Sequence, residues 1–183
     1  MEYLQVSESI HLDQVNLSMA PAIFNVINRD REYLREWLPF VDVTHKVSDT
    51  ELFIKSLNAG TGFKKDVVYA IWFKMEFAGL IGFKDTDWVN NKTELGYWLA
   101  QDMQGKGIIT QCVYVLIRHA FGKLNMNRVQ VKVAAGNSKS AAIPERLGFK
   151  FEGIERQGEL INGLYHDLLI FSILKTDDLT HGY

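Results

Sequence analysis

Cysteine and proline are scarce in this chain: one cysteine and three prolines in 183 residues. A lone Cys112 excludes an intrachain disulfide and any multi-cysteine zinc site. It sits inside an apolar run, where a free thiol reads as a buried, inert side chain. Positive charge is also not in surplus. Twenty Lys and Arg stand against 22 Asp and Glu, a net charge of -2, so the overall basic character of a nucleic-acid binder is missing. No apolar run approaches the roughly 18 residues of a membrane helix. The opening "MEYLQVSESIHLDQ" is too polar for a signal peptide. Linkers, repeats and charge blocks are absent too, which predicts one domain over residues 1–183. These absences predict a cytoplasmic protein with neither a membrane nor a nucleic-acid partner.

What is present is core material: 47% of the residues are hydrophobic and 23% charged, the balance of a globular chain. "SIHLDQV" reads as a short strand. "LSMAPAIFNVINRDREYLREWLPF" reads as one helix that stops near Pro39. Ser48-Asp49-Thr50-Glu51 starts another helix, running to about Asn58, with Gly60 and Gly62 beyond it. "DVVYAIWFK" and "AGLIGFKD" form a hairpin turning near Met75-Glu76, and "KTELGYWLA" follows an Asn90-Asn91 turn as a third strand. From Ile109 the apolar period becomes helical and ends near Gly122 and Asn125. A strand "RVQVKVAA", a short helix from Ser138 to Leu147, and strands "FKFEGIE" and "YHDLLIFSIL" complete a mixed α/β sheet.

Between the third strand and the long helix lies Gln104-Gly105-Lys106-Gly107-Ile108-Ile109-Thr110. A helix start offers unpaired N–H groups and the positive end of its dipole, and glycines let an anion approach closely. A P-loop does not fit, because Ala100 stands at its first glycine and Gly107 at its Ser/Thr. A dinucleotide fingerprint does not fit either, because Thr110 stands at its third glycine. The pyrophosphate loop Q/R-x-x-G-x-G/A does fit at Gln104 and Gly107, with Ile109 in place of the last small residue.

On this loop, with "REWLPF", "ELGYWLAQDMQGKGIITQ" and "NSKSAAIPERLGFKFEGIERQGELINGLYHDLLIFSIL", the sequence resembles the GNAT N-acetyltransferases along nearly its whole length. Within them it resembles the ribosomal-protein N-terminal acetyltransferase branch, the Rim type. The resemblance implies an acyl-coenzyme A N-acyltransferase fold: a mostly antiparallel sheet, one parallel strand pair that splays apart, and helices on both faces. It implies acetyl-coenzyme A as cosubstrate, with no metal. Gln104, Gly105, Lys106, Gly107, Ile108, Ile109 and Thr110 would take the pyrophosphate. Leu99 and Ala100, where the strand parts from Arg128 to Ala135, would take the thioester arm. Asn137 is a helix cap or a coenzyme contact, or both.

Acetyl transfer needs a neutral amine, a donor for the developing oxyanion and a proton for the departing thiolate. Glu159 matches a carboxylate of the branch. It reads as the base if partial burial tunes it, or as a solvated loop acid beside Asn162-Gly163. Glu94 is the reserve base, or a sheet-face charge. The family's usual tyrosine acid falls on Pro144, so Ser140 is the matching proton donor, or a helix-start hydroxyl. Pro144 also denies the Ser140 carbonyl its helical N–H partner, which predicts locally open backbone there. Trp37, Tyr69, Trp72, Tyr97 and Trp98 can wall an acceptor pocket, although Tyr97 and Trp98 must point to opposite faces. His166, at the start of the last strand, is a further acceptor-side candidate.

The sequence thus reads as an acetyltransferase acting by direct attack on a protein N-terminal α-amine, that of a ribosomal protein. The rivals are a small-molecule amine acetyltransferase, acting on a polyamine, amino acid or antibiotic, and a non-catalytic coenzyme-binding module. A homodimer or higher homo-oligomer is implied by the resemblance.

Overall fold

A computed structural model describes residues 2–59 and 66–179. Eight strands form one sheet in the order β1-β2-β3-β4-β5-β6-β8-β7. They are β1 (Tyr3–Gln5), β2 (Ile10–Gln14), β3 (Val67–Phe73), β4 (Glu76–Asp87), β5 (Lys92–Leu99), β6 (Arg128–Ala134), β7 (Lys150–Ile161) and β8 (Leu164–Leu174). The helices are α1 (Ala20–Arg29), α2 (Arg31–Leu34), α3 (Val47–Ala59), α4 (Ile108–Gly122) and α5 (Ser138–Arg146). Every strand named from the sequence is there, β1 is added at the edge, and the helices are there except that the one expected before Pro39 is divided. Gly60 and Gly62 lie outside the described residues. None of the described helices is long and apolar enough to cross a membrane.

All pairs are antiparallel except β5 and β6. The Lys74-Met75 turn between β3 and β4 holds both residues at positive φ, the twist a tight hairpin demands. From Phe77 to Phe83, β4 is buried without alternation, so both faces of the sheet centre are covered. The apolar stripe of α4, with Cys112, Val113, Leu116, Ile117 and Ala120 inaccessible, belongs to that core. Burial pushes the Cys112 thiol pKa up, which keeps it protonated and unreactive.

The expected single helix before Pro39 is broken at Asp30. This buried carboxylate receives Arg29 Nε at 2.7 Å and the Gln101 N–H at 2.9 Å. The Arg29 guanidinium holds its pKa below the ordinary carboxylate value. A charge tied to a residue 71 positions away fixes where the helix turns, and nothing in the local sequence announces it. After α2, Leu38 is extended, the conformation that a following proline imposes. The N–H groups of Trp37 and Leu38 still close on the Leu34 carbonyl, at 3.2 and 3.0 Å, before the chain turns away.

The decisive feature is the parallel pair. β5 and β6 are in register only at Lys92–Arg128, Thr93–Val129 and Glu94–Gln130. Beyond that point β5 continues against β4 to Leu99, and β6 continues against β8 to Ala134. The sheet forks, as the family resemblance implied.

Candidate active site

Two cavities meet at the fork. The larger, about 980 Å³, runs from Trp98 and Leu99 of β5 along the Gln104–Thr110 loop to α5. The smaller, about 150 Å³, is bounded by Leu95–Tyr97 of β5, Val131–Ala134 of β6, Lys84 and Glu159. Trp37, Leu38, Tyr97, Asn137 and Ser140 border both. These residues form the partition where two reactants, one in each cavity, would meet.

The larger cavity has the features of an anion site at its far end. Gly105 and Gly107 sit at φ +71° and +70°, a region that side chains rarely adopt. Gly107 is the N-cap of α4 and provides no capping side chain. The first N–H groups of the helix, those of Ile108, Ile109 and Thr110, have no intrahelical partner by construction. The side chains of these three residues are buried in the core, so only their backbone is offered. Lys106 lines the same cavity, its ammonium 5.4 Å from the centre of the Phe73 ring. Gln104 Oε1 accepts from Lys139 at 3.2 Å. Its Nε2 is buried without a hydrogen-bond partner, a cost that a bound acceptor would relieve.

At the partition, Asn137 caps α5 through Oδ1, which accepts from the Ser140 N–H at 3.1 Å. The Ser140 carbonyl, denied an N–H by Pro144, accepts instead from the Tyr97 hydroxyl at 3.2 Å. The Ser140 hydroxyl lies 3.3 Å from the same phenol oxygen. Burial pushes the Tyr97 pKa up to about 12, with the Ser140 hydrogen bond acting in the opposite sense. Trp37 packs so closely on Gly136 that a Cβ there would stand 2.9 Å from the indole. Leu99 and Trp98 line only the larger cavity, and Trp98 packs edge-on against Phe77 at 5.9 Å.

Five expected positions fall elsewhere. Ala100 is wholly buried and lines neither cavity, and its N–H is committed to the Ala78 carbonyl at 2.7 Å. Tyr69 is 1% exposed in the core, with its hydroxyl on Glu2 at 2.7 Å, so it walls no pocket. Glu94, 3% exposed, has both oxygens occupied, one by Lys84 at 2.7 Å and the other by Gln130 at 3.0 Å. It closes the foot of the fork, where neither oxygen is left open to an acceptor amine. His166 lines neither cavity but stands edge-on to Trp37 at 6.1 Å and opposite Glu159 in the β7–β8 register. Trp72, the remaining aromatic, stacks within the sheet on His11.

Glu159 borders the smaller cavity from an exposed position on β7, so the partial burial anticipated for it is not observed. The sequence reading missed Arg146 and Lys139. Both line the larger cavity, and Arg146 donates to the Thr110 hydroxyl at 3.1 Å. A basic residue in the last turn of α5 was the available signal. The signal is a weak one, because Lys and Arg are common on helix ends.

Residues 10–150 match the family description "Acetyltransferase (GNAT) domain". The chain belongs to the GNAT acetyltransferase family. It is 35% identical over 175 residues to a putative ribosomal N-acetyltransferase, YdaF, of Bacillus subtilis, covering 94% of this chain and 95% of that protein. It is 28% identical over 173 residues to the ribosomal-protein-serine acetyltransferase of Escherichia coli, covering 93% and 96%. The solved structure of RimL, a ribosomal alpha-N-protein acetyltransferase in complex with coenzyme A, superposes with a TM-score of 0.90 at 25% identity, covering 94% and 98%. The family's donor is acetyl-coenzyme A, and the larger cavity fits it. Its volume is at the upper end of small-ligand sites, its end is a bare helix N-terminus, and Gln104 holds an unpartnered buried amide.

Proposed function

We propose that this GNAT acetyltransferase transfers acetyl from acetyl-coenzyme A to the N-terminal α-amine of a ribosomal protein, by direct attack and within one domain. The observation that carries the reading is the forked β5–β6 pair with a large cavity on one side of the partition and a small one on the other. The cosubstrate, when bound, supplies an activated acetyl thioester. Gly105–Thr110 backbone and Lys106 hold its pyrophosphate, Gln104 gives its amide, and Leu99 borders its thioester end. Asn137 both caps α5 and faces the cavity. On the acceptor side Trp37, Tyr97 and Leu38 orient the amine, and exposed Glu159 receives its proton directly or through water. Ser140 protonates the departing sulfur.

The acceptor cavity of about 150 Å³ is below the range of about 300–1,000 Å³ that encloses whole small ligands. It suits the end of a chain whose remainder lies outside. The names of the similar proteins support a ribosomal-protein α-amine, and a cytoplasmic setting goes with that acceptor. Homodimerisation is part of the same proposal. It is supported by the exposed Phe151, Ile154, Leu160, Leu164 and Tyr165 along the β7 edge and its neighbour β8, and light scattering tests it.

The central test offers acetyl-coenzyme A with a Ser-ended peptide, an Ala-ended peptide, the same peptides blocked at the α-amine, and spermidine. Thiol release with the open peptides alone, and mass spectrometry placing acetyl on the α-nitrogen, is the expected result. Faster turnover of spermidine makes the small-amine reading correct. Binding of acetyl-coenzyme A with no turnover of any amine leaves the non-catalytic module.

A further inference from the structure

The partition between the cavities holds a hydroxyl that the roles above do not use for chemistry. Tyr97 comes from β5, across the fork from α5, and its oxygen lies 3.2 Å from the Ser140 carbonyl and 3.3 Å from Ser140 Oγ. The reason it sits there is local and covalent. Pro144 has no N–H, so the Ser140 carbonyl lacks its helical donor, and the phenol takes that place. Ser140 is thereby fixed at three atoms: its N–H by Asn137, its carbonyl by Tyr97, its hydroxyl by Tyr97 again. A side chain wanted only for packing would not need its one polar atom at the only serine on the partition. Tyr97 also borders both cavities, whereas Glu159 borders the acceptor side alone.

We infer that Tyr97 is a positioning and proton-relay residue that acts through Ser140, carrying a proton from the acceptor side of the fork to the departing sulfur. This rests on the acetyl-transfer reading above. In the step, the carbon–sulfur bond of the thioester breaks and a carbon–nitrogen bond to the amine forms. The attacking nitrogen sheds one proton, and the sulfur must gain one. Ser140 Oγ gives its proton to sulfur. The Tyr97 hydroxyl, turning from the carbonyl to Oγ, restores the serine. Tyr97 then recovers a proton from the acceptor cavity, where Glu159 has taken one from the amine and gives it up directly or through water. The proton count closes with no oxidant, reductant or further reactant. Both hydroxyls rotate, so the exchange needs no movement of heavy atoms. The raised pKa of Tyr97 is compatible with the task, because the phenol stays protonated at neutral pH and still yields its proton to the stronger base, the alkoxide that Ser140 becomes as its own proton leaves for sulfur.

The role separates from a structural one because Ser140→Ala deletes the hydroxyl and keeps the carbonyl. Thiol release from acetyl-coenzyme A is measured with the Ser-ended peptide and, separately, with water alone, for wild type, Tyr97→Phe, Ser140→Ala and the double variant. Tyr97→Phe is expected to lower the rate about 10- to 100-fold in the wild-type background and less than about twofold in Ser140→Ala, with KM for acetyl-coenzyme A nearly unchanged. Equal losses in both backgrounds overturn the relay, because Tyr97 then serves only the carbonyl. No loss in either background also overturns it. A proton inventory on the wild type, which needs no variant, is expected to curve in mixed light and heavy water; a linear one overturns a two-proton relay. The water reaction keeps this test apart from the acceptor reading. If no peptide reacts but hydrolysis shows the same pattern, the relay stands and the acceptor is wrong. A wild type that releases thiol from neither overturns both.

Discussion

The two ends of the β5–β6 pair use the same kinds of residue in opposite ways. At the foot, where the strands are still in register, polar groups are consumed. Glu94 is shared by Lys84 and Gln130, and Arg128 is tied to Glu152, which also accepts from Ser172 Oγ at 2.7 Å. At the mouth, polar groups are held ready: the α4 N-terminus, the Gln104 amide, Lys106, Ser140 and Glu159. Closing one end lets the other stay open. The cost of unpaired strand edges at the mouth is offset by a foot whose charges are fully satisfied, so stability and function divide along a single strand pair.

The largest effect should come from the mouth. Gly107→Glu puts a side chain at φ +70° and a carboxylate where the anion belongs. Affinity for acetyl-coenzyme A, read by calorimetry, should fall about 100-fold or more, with the fold retained. Unchanged affinity would place the pyrophosphate elsewhere. Next is Glu159→Gln, expected to lower kcat about 10- to 100-fold near neutral pH while coenzyme binding survives. A variant whose pH–rate profile matches the wild type removes Glu159 from the chemistry.

The fold was legible because its signals are local. Alternating Val129, Val131 and Val133 gave β6, Asn137 gave the α5 cap, and the two glycines gave the start of α4. The roles of the acids were not legible. Glu94 and Glu159 are both strand acids near aromatic residues, and only pairing across strands shows one to be consumed and the other open. Tyr69 and Tyr97 differ for the same reason: one phenol meets Glu2 in the core and the other meets Ser140 at the partition. Pro144 is the instructive middle case. Its missing N–H left the Ser140 carbonyl without a helical donor, but the locally open backbone expected there is not observed: α5 runs unbroken from Ser138 to Arg146, and the group that fills the carbonyl lies 43 residues away with no local signature.

At the foot, Glu94→Gln keeps the shape and loses the ion pair with Lys84. It should cost roughly 2 kcal/mol of stability in urea unfolding, less than a fully buried pair because Lys84 is half exposed and can be solvated. Acetyl-coenzyme A affinity should stay within about threefold. A loss of turnover with no loss of stability would instead return Glu94 to the catalytic candidates.

The smallest effect belongs to Asp30, which links foot-like stability to the mouth. Its pKa is depressed in the folded state, chiefly by the hydrogen bond from Arg29. Folding therefore favours its ionised form. The stabilisation is complete above its ordinary value of 3.8 and disappears as the pH falls through the folded-state value. Asp30→Asn should cost about 1 kcal/mol at pH 7, and the gap to wild type in urea midpoint should narrow progressively in acid below about pH 4. Because Asp30 also accepts the Gln101 N–H, it anchors the turn that leads into Gly105 and Gly107. The amide oxygen of Asn can keep that bond. Coenzyme affinity should accordingly change less than stability does, and a larger fall in affinity would mean that the charge itself, rather than the hydrogen bond, sets the glycine turn.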